Sequence, residues 1–282
     1  SHALLEFMLA PLERYTDSVF RTLCHNHGAD LTFTEMAHVE SFLNRNRGSL
    51  EKIKIRDSTP VQIQILSGNE GKLNRFLTDF KPFDGFKGFN LNLSCPSRDV
   101  IRQGKGAAMV KRGAKTARLV SLIRDYGYPV SVKIRLGLNR KEKANKIYLN
   151  NLRGVDPDFF VVHAKHAAQG SDAKEDNSVY PECVEAARGI PVVANGSIET
   201  PKMVQTLIKM GVSGVMMGRP ALRNSAIFDY LKNELGVNDP PKQVPTIGDL
   251  MREYDDIYAE IRGSETFRSR FLKVVGKTHP RY

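Results

Sequence analysis

Few cysteines, no long apolar run and a shortage of acids set the first limits on this chain. Its three cysteines, Cys24, Cys95 and Cys183, are odd in number and far apart. That excludes a disulfide framework and any zinc or iron–sulfur spacing, so no metal is expected and a reducing cytoplasm is the expected compartment. No apolar stretch approaches the roughly 18 residues that span a bilayer, and no membrane partner is expected. The opening Ser1-His-Ala-Leu-Leu-Glu lacks both a basic region and a long apolar core, and does not read as a signal peptide. Acids are outnumbered 31 to 42 by Lys and Arg, leaving a net charge of +11. Such an excess speaks of partners, with nucleic acid or an acidic membrane surface the usual candidates, rather than of fold.

What is present is a regular alternation. Strand-like runs recur at Phe7–Pro11, Leu31–Met36, Val61–Leu66, Phe89–Ser94, Val130–Arg135, Phe159–His163, Val192–Ser197 and Gly214–Gly218. Amphipathic stretches such as Asp17–His27, Ala114–Tyr126, Pro181–Arg188 and Pro201–Met210 lie between them. Short strands alternating with helices predict parallel βαβ units, and this many units fit an α/β fold of the (β/α)8 TIM-barrel type. The rival, a doubly wound open sheet, lacks its Gly-x-Gly-x-x-Gly turn after the first strand. The barrel is expected over 1–235, a linker over 236–246 (Gly236-Val-Asn-Asp-Pro-Pro), and a small helical domain over 247–282. In that last part Leu250, Tyr254, Ile257, Tyr258 and Ile261 recur at helical spacing. Its end carries Arg262, Arg268, Arg270, Lys273, Lys277 and Arg281, a basic run suited to docking or nucleic acid.

Three central strands share one pattern. Gln62 and Gln64, then Asn90, Asn92 and Ser94, then Ser131, Lys133 and Arg135 alternate with Val, Ile and Leu. In a parallel barrel the outward face packs on helices and must be apolar, so the polar set points inward, towards the mouth. Burying two cations and several amides is costly unless something polar satisfies them, and a bound polar cofactor does so. The middle strand ends at Cys95, because Pro96 cannot donate to a ladder. Later, Ala194-Asn-Gly-Ser-Ile198 and Val215-Met-Met-Gly-Arg-Pro220 put Gly196, Gly218 and Arg219 at strand-to-helix turns. Loops after the last two strands are the habitual phosphate site of such barrels.

With these residues in view, the chain resembles the tRNA-dihydrouridine synthases, FMN-dependent enzymes that reduce uridines in tRNA. Leu9-Ala-Pro-Leu-Glu-Arg-Tyr-Thr-Asp17 is similar to the first-strand signature, with Arg14-Tyr15 in place of a Gly-hydrophobic pair. Val61-Gln-Ile-Gln64, Asn90-Leu-Asn-Leu-Ser-Cys-Pro96 with Gly104-Lys-Gly-Ala-Ala-Met109, and Val132-Lys-Ile-Arg-Leu-Gly137 follow in the family's order. Ser94 stands where the family has Gly, which also resembles dihydroorotate and dihydropyrimidine dehydrogenases. Ala164-Lys165-His166 replaces Gly-Arg-Thr.

The resemblance implies FMN bound through Ala10, Pro11, Leu12, Gln64, Lys133, His163, Asn195, Gly196, Gly218 and Arg219, with NADPH or NADH as reductant. It implies hydride transfer from the flavin to C6 of a flipped-out uracil, and a proton to C5 from Cys95. Asn92, Arg135, Lys165, His166, Arg268 and Arg270 are the expected substrate contacts. Further phosphate contacts are expected from Arg45, Arg47, Lys52, Lys54 and Arg56 and from Arg140, Lys141, Lys143 and Lys146. Cys24 and Cys183 are expected in the core. A small-molecule flavoenzyme and an RNA-binding barrel without catalysis are the alternatives.

Overall fold

A computed structural model of the chain describes residues 5–53 and 55–277, which leaves Lys54 and Arg281 outside the described residues. Among the described residues the nine strands are β1 (Glu6–Leu9), β2 (Thr32–Phe33), β3 (Ala37–His38), β4 (Val61–Leu66), β5 (Phe86–Leu93), β6 (Val130–Ile134), β7 (Phe160–His163), β8 (Val192–Asn195) and β9 (Gly214–Met217). All are parallel to their neighbours, and the sheet runs in the order β1-β9-β8-β7-β6-β5-β4-β2 with β3 also on β4. A single bridge, Met8 to Leu31, brings the two ends together and all but closes a TIM-like barrel.

The second barrel strand departs from expectation by splitting into β2 and β3. Phe33 pairs with Gln62 and Ala37 with Ile65, so one extra residue bulges between them. At the break, the Thr34 hydroxyl accepts from the Gln64 backbone N–H at 3.0 Å, where a ladder carbonyl would ordinarily stand. The strand leading to Cys95 begins earlier than its alternation suggests, at Phe86, and Gly88 makes that possible. Its φ is +113°, and a Cβ there would lie 2.3 Å from the Pro129 carbonyl oxygen.

Outward residues of the central strands, such as Ile63, Ile65, Phe89, Leu91, Val132 and Ile134, are buried under the helices. Parallel register sets Gln64, Asn90 and Ser131 at one level, and Asn92 beside Lys133 at the next. Helices begin where the sequence offers caps. Asp17 accepts from Phe20 N ahead of Ser18–Asn26, and Thr200 accepts from Met203 N ahead of Pro201–Lys209. Cys24 and Cys183 are fully buried, as expected.

Of the last two helices, Ile247–Ile261 lies against the helix Ser18–Asn26 and Glu265–Val274 against Arg219–Arg223. Leu250, Tyr254 and Ile257 are buried, and Phe271 stacks on Tyr254 at 4.1 Å between ring centroids. Phe20 of the barrel's first helix meets the same Phe271 at 6.0 Å. The tail thus shares the apolar core of the barrel.

Candidate active site

The inward amides of β4 and β5 and the Ser131 hydroxyl of β6 satisfy one another. Ser131 Oγ donates to Gln62 Oε1, Asn90 Nδ2 to Ser131 Oγ, Gln64 Nε2 to Asn90 Oδ1, and Asn92 Nδ2 to Gln64 Oε1. These amides alone therefore do not call for a ligand, which corrects the inference drawn from the alternation. Gln64, expected on the cofactor, lies within this network and lines no part of the cavity described below. Asn92, expected on the substrate, is likewise engaged. Its Oδ1 accepts from the backbone N–H groups of Ser94 and Cys95, both at 2.9 Å. That side chain ends the strand at Leu93 and turns the chain so that Cys95 stands above it, with Pro96 blocking any return to the ladder.

Cys95 is buried in a small apolar cluster with Leu66 and Val100, and Met36 packs beside it. Gly106 closes over it: a Cβ there would come 2.8 Å from the Cys95 carbonyl oxygen. Lys105, next to Gly106, is also buried, and its Nζ contacts Glu40 Oε2 at 2.8 Å and His38 Nδ1 at 3.0 Å. The cysteine loop is thereby pinned to the end of β3. Burial pushes the Cys95 thiol above its ordinary value, against the Ser97 backbone hydrogen bond and the nearby Arg135 and Lys133, which favour the thiolate.

The cations behave differently from the amides. Lys133 is buried, and among the described residues its ammonium has one hydrogen-bond partner, Ser94 Oγ at 3.2 Å. Ser94, the residue that departs from the family pattern, thus links the buried lysine to the cysteine turn. Burial first and the Arg135 charge second pull the Lys133 pKa down to about 7. Arg135 Nε and Nη1 and His163 Nε2 are buried without a hydrogen-bond partner among the described residues. Burial, and then the same two cations, bring His163 down to about 4, although Glu175 works the other way.

These three residues border an open cavity of about 820 Å³ at the C-terminal ends of β6 to β9 and β1. Its walls include Ala10, Pro11, Leu12, Asn195, Gly196, Gly218 and Arg219, so the expected cofactor residues other than Gln64 meet at one place. The size falls within the roughly 300–1,000 Å³ of small-molecule sites. Gly196 has φ +123°, and the following Ser197 is also left-handed. Gly218 precedes a helix of only five residues, Arg219–Arg223, so an anion here depends on backbone N–H groups and Arg219 more than on a helix dipole. Buried donors without partners beside a cavity of this size fit a polar, anionic cofactor.

One lining residue carries no sequence signal. Glu175, in the loop after β7, lies 3.5 Å from His163 Nε2 and 3.9 Å from Lys165 Nζ, and accepts from Ser197 Oγ at 3.1 Å. Burial opposes its ionisation, but His163, its own backbone and Ser197 hold its pKa at about 2. It is a carboxylate set beside the Lys165 ammonium and the His163 imidazole.

Other expected contacts lie elsewhere. Lys165 is buried, and its ammonium donates to the carbonyls of Gly170 and Ser171, both at 3.1 Å, which folds its own loop. His166 is half-buried and lines no part of the cavity. Arg268 is held by Asp255 through Nε at 2.7 Å and by Glu265 at 3.6 Å, so its charge is met within the tail. Arg270 has no carboxylate partner among the described residues and stacks near Phe267. The basic character expected of the tail is confined to its end: residues 247–277 contain six acids and six bases.

A family model described as dihydrouridine synthase matches residues 8–275. The chain belongs to the dihydrouridine synthase family. It is 28% identical over 254 residues to tRNA-dihydrouridine synthase B of Pseudomonas putida, covering 88% of this chain and 74% of the relative. A probable tRNA-dihydrouridine synthase of Aquifex aeolicus is 26% identical over 264 residues, covering 88% and 81%. Among solved structures, a variant of NCR from Zymomonas mobilis superposes with a TM-score of 0.50 at 15% identity, covering 89% of this chain and 94% of that one. This last likeness concerns the barrel fold.

Proposed function

We propose that this chain is an FMN-dependent tRNA-dihydrouridine synthase that reduces the C5–C6 bond of a uracil in tRNA. The observation that carries the reading is Lys133 and Arg135 on the wall of one cavity, with two Arg135 nitrogens buried and without a hydrogen-bond partner among the described residues. The cavity would hold FMN. Gly196, Gly218 and Arg219 would receive its phosphate, while Lys133, Arg135 and His163 would face the polar edge of its ring. Ala10, Pro11 and Leu12 would form the opposite wall. When bound, the flavin supplies the reducing equivalents, and a nicotinamide nucleotide, NADPH or NADH, replenishes them.

The chain's own part is positioning and proton delivery. Cys95 is the general acid: its raised pKa keeps the thiol protonated at neutral pH, as donation to C5 requires. Asn92 and Lys105 hold the cysteine loop, and Ser94 holds Lys133 where positive charge favours the reduced cofactor. A uracil in folded tRNA is stacked, so it must be flipped out to reach this depth. The helices after residue 246 would contact the RNA through Arg270. The test is incubation of the purified protein with reductant and an unmodified tRNA transcript, followed by mapping of dihydrouridine. A yellow protein and dihydrouridine at a defined position are expected; a flavin-free protein that leaves the transcript unchanged overturns the reading.

A further inference from the structure

The positive charge of this molecule does not lie where its tail suggests. Residues 61–155 contain 19 Lys and Arg against 6 Asp and Glu, an excess of 13, which exceeds that of the whole chain. Helices 247–261 and 265–274 with their flanks, by contrast, are charge-neutral over 247–277. Much of the excess is displayed on two loops that leave the barrel at the same end. One follows β5 and contains Cys95, the helix Arg98–Arg102 and the pair Lys111-Arg112; the other follows β6 and contains the helix Arg140–Ala144. Strand direction puts both at the mouth. They touch: Lys111 Nζ lies 3.5 Å from Glu142 Oε2, and Asn151 Nδ2 donates to the Val110 carbonyl just before the basic pair.

Several cations in these loops are already paired, including Arg102 with Asp99, Lys143 with Asp176 and Lys146 with Glu182. Arg98, Arg112, Arg140 and Lys141 are exposed and have no carboxylate partner among the described residues. An ordinary solvated face mixes both signs and pairs them. A rim that keeps four exposed cations without carboxylate partners beside the Cys95 loop, after its few acids are taken up, suits a polyanion whose backbone must pass there. Arg98 is three residues from Cys95, so a nucleic acid strand that delivers a base to the thiol crosses this rim.

We infer that the loops after β5 and β6 form the main RNA-backbone contact of this protein, through Arg98, Arg112, Arg140 and Lys141, and that the tail supplies the smaller share. This rests on the tRNA reading above. The partner is the phosphodiester backbone of a folded RNA, bound without regard to sequence and with strong salt dependence.

The experiment measures tRNA affinity against salt concentration for three proteins: wild type, Arg98→Gln/Arg112→Gln/Arg140→Gln/Lys141→Gln, and Arg270→Gln/Lys273→Gln. Each phosphate contact contributes about 0.7–0.9 to the log–log slope. The quadruple variant is expected to flatten the slope by about 3 and to weaken binding at low salt about tenfold or more, with flavin content unchanged. The tail pair is expected to flatten it by less than about 1. The two halves of the quadruple, Arg98→Gln/Arg112→Gln and Arg140→Gln/Lys141→Gln, carry the test if the full variant does not fold. Unchanged slopes in the rim variants, with wild type binding tRNA, overturn this inference alone. A larger loss in the tail pair overturns it too. A wild-type protein without salt-dependent tRNA affinity overturns it together with the tRNA reading.

Discussion

On the β4–β5 side of the mouth, Gln62, Gln64, Asn90 and Asn92 are buried and hydrogen-bonded to one another and to Ser131; on the β6–β7 side, Arg135 and His163 are half-buried, with buried nitrogens that have no hydrogen-bond partner among the described residues. The first side lies deeper and is satisfied from within; the second lies at the strand ends and keeps buried donors with no hydrogen-bond partner among the described residues. Polar burial by itself therefore does not mark a ligand site. The deficit does, because an unsatisfied buried donor is destabilising until something binds it. The first side holds the Cys95 turn through Asn92, and the second leaves buried donors beside the cavity.

The largest expected effect is on Cys95, in the turn after β5 that Asn92 holds. Cys95→Ala should lower uridine reduction by about 10²-fold or more while leaving flavin binding intact. An unchanged single-turnover rate with reduced enzyme and unmodified tRNA would remove the thiol from the mechanism.

Next come two substitutions whose effects on stability have opposite signs. Arg135→Met should weaken flavin binding about tenfold to 100-fold, the scale of a lost charged hydrogen bond, and should raise the stability of the flavin-free protein. Asn92→Ala should lower that stability by about 2 kcal/mol, because it strands the buried N–H groups of Ser94 and Cys95. Urea unfolding of flavin-free protein, with a flavin titration beside it, reads both. Equal signs would show that the two sides do not differ in the way described.

The smallest effect concerns pH. His163 has its folded pKa near 4 against an ordinary 6.5, so in that window the unfolded chain takes up a proton that the folded chain refuses. Stability should therefore fall as pH drops from about 6.5 to about 4. Glu175 works in the same direction lower down, since its pKa of about 2 lies below the ordinary 4.5 and its contribution is lost as pH falls through that range. His163→Gln should flatten the upper part of the profile and leave the lower part, as thermal melts across pH would register.

Legibility in the sequence followed periodicity. Alternation in Val61–Leu66, Phe89–Ser94 and Val130–Arg135 was enough to assign inner and outer faces, since a parallel strand under helices tolerates polar groups only inside. Glycines at the last two strand ends were legible because their turns have few alternatives. Glu175 was not, because nothing periodic governs the loop between His163 and the 3₁₀ turn at Asn177–Val179. Lys165 and Arg268 were readable only as cations; that their charges are taken up by Gly170, Ser171 and Asp255 depends on a fold-back that spacing does not encode.

By itself, then, the sequence determined the barrel, the inward polar faces, the thiol at a strand end and the total charge, all of which follow from local pattern and composition. Tertiary structure alone decided which polar groups pair, because hydrogen bonds between strands depend on register and distance. The same holds for charge. A sum of +11 is in the composition, but whether a cation faces RNA or a neighbouring carboxylate is settled only when the chain brings the two within a few ångströms.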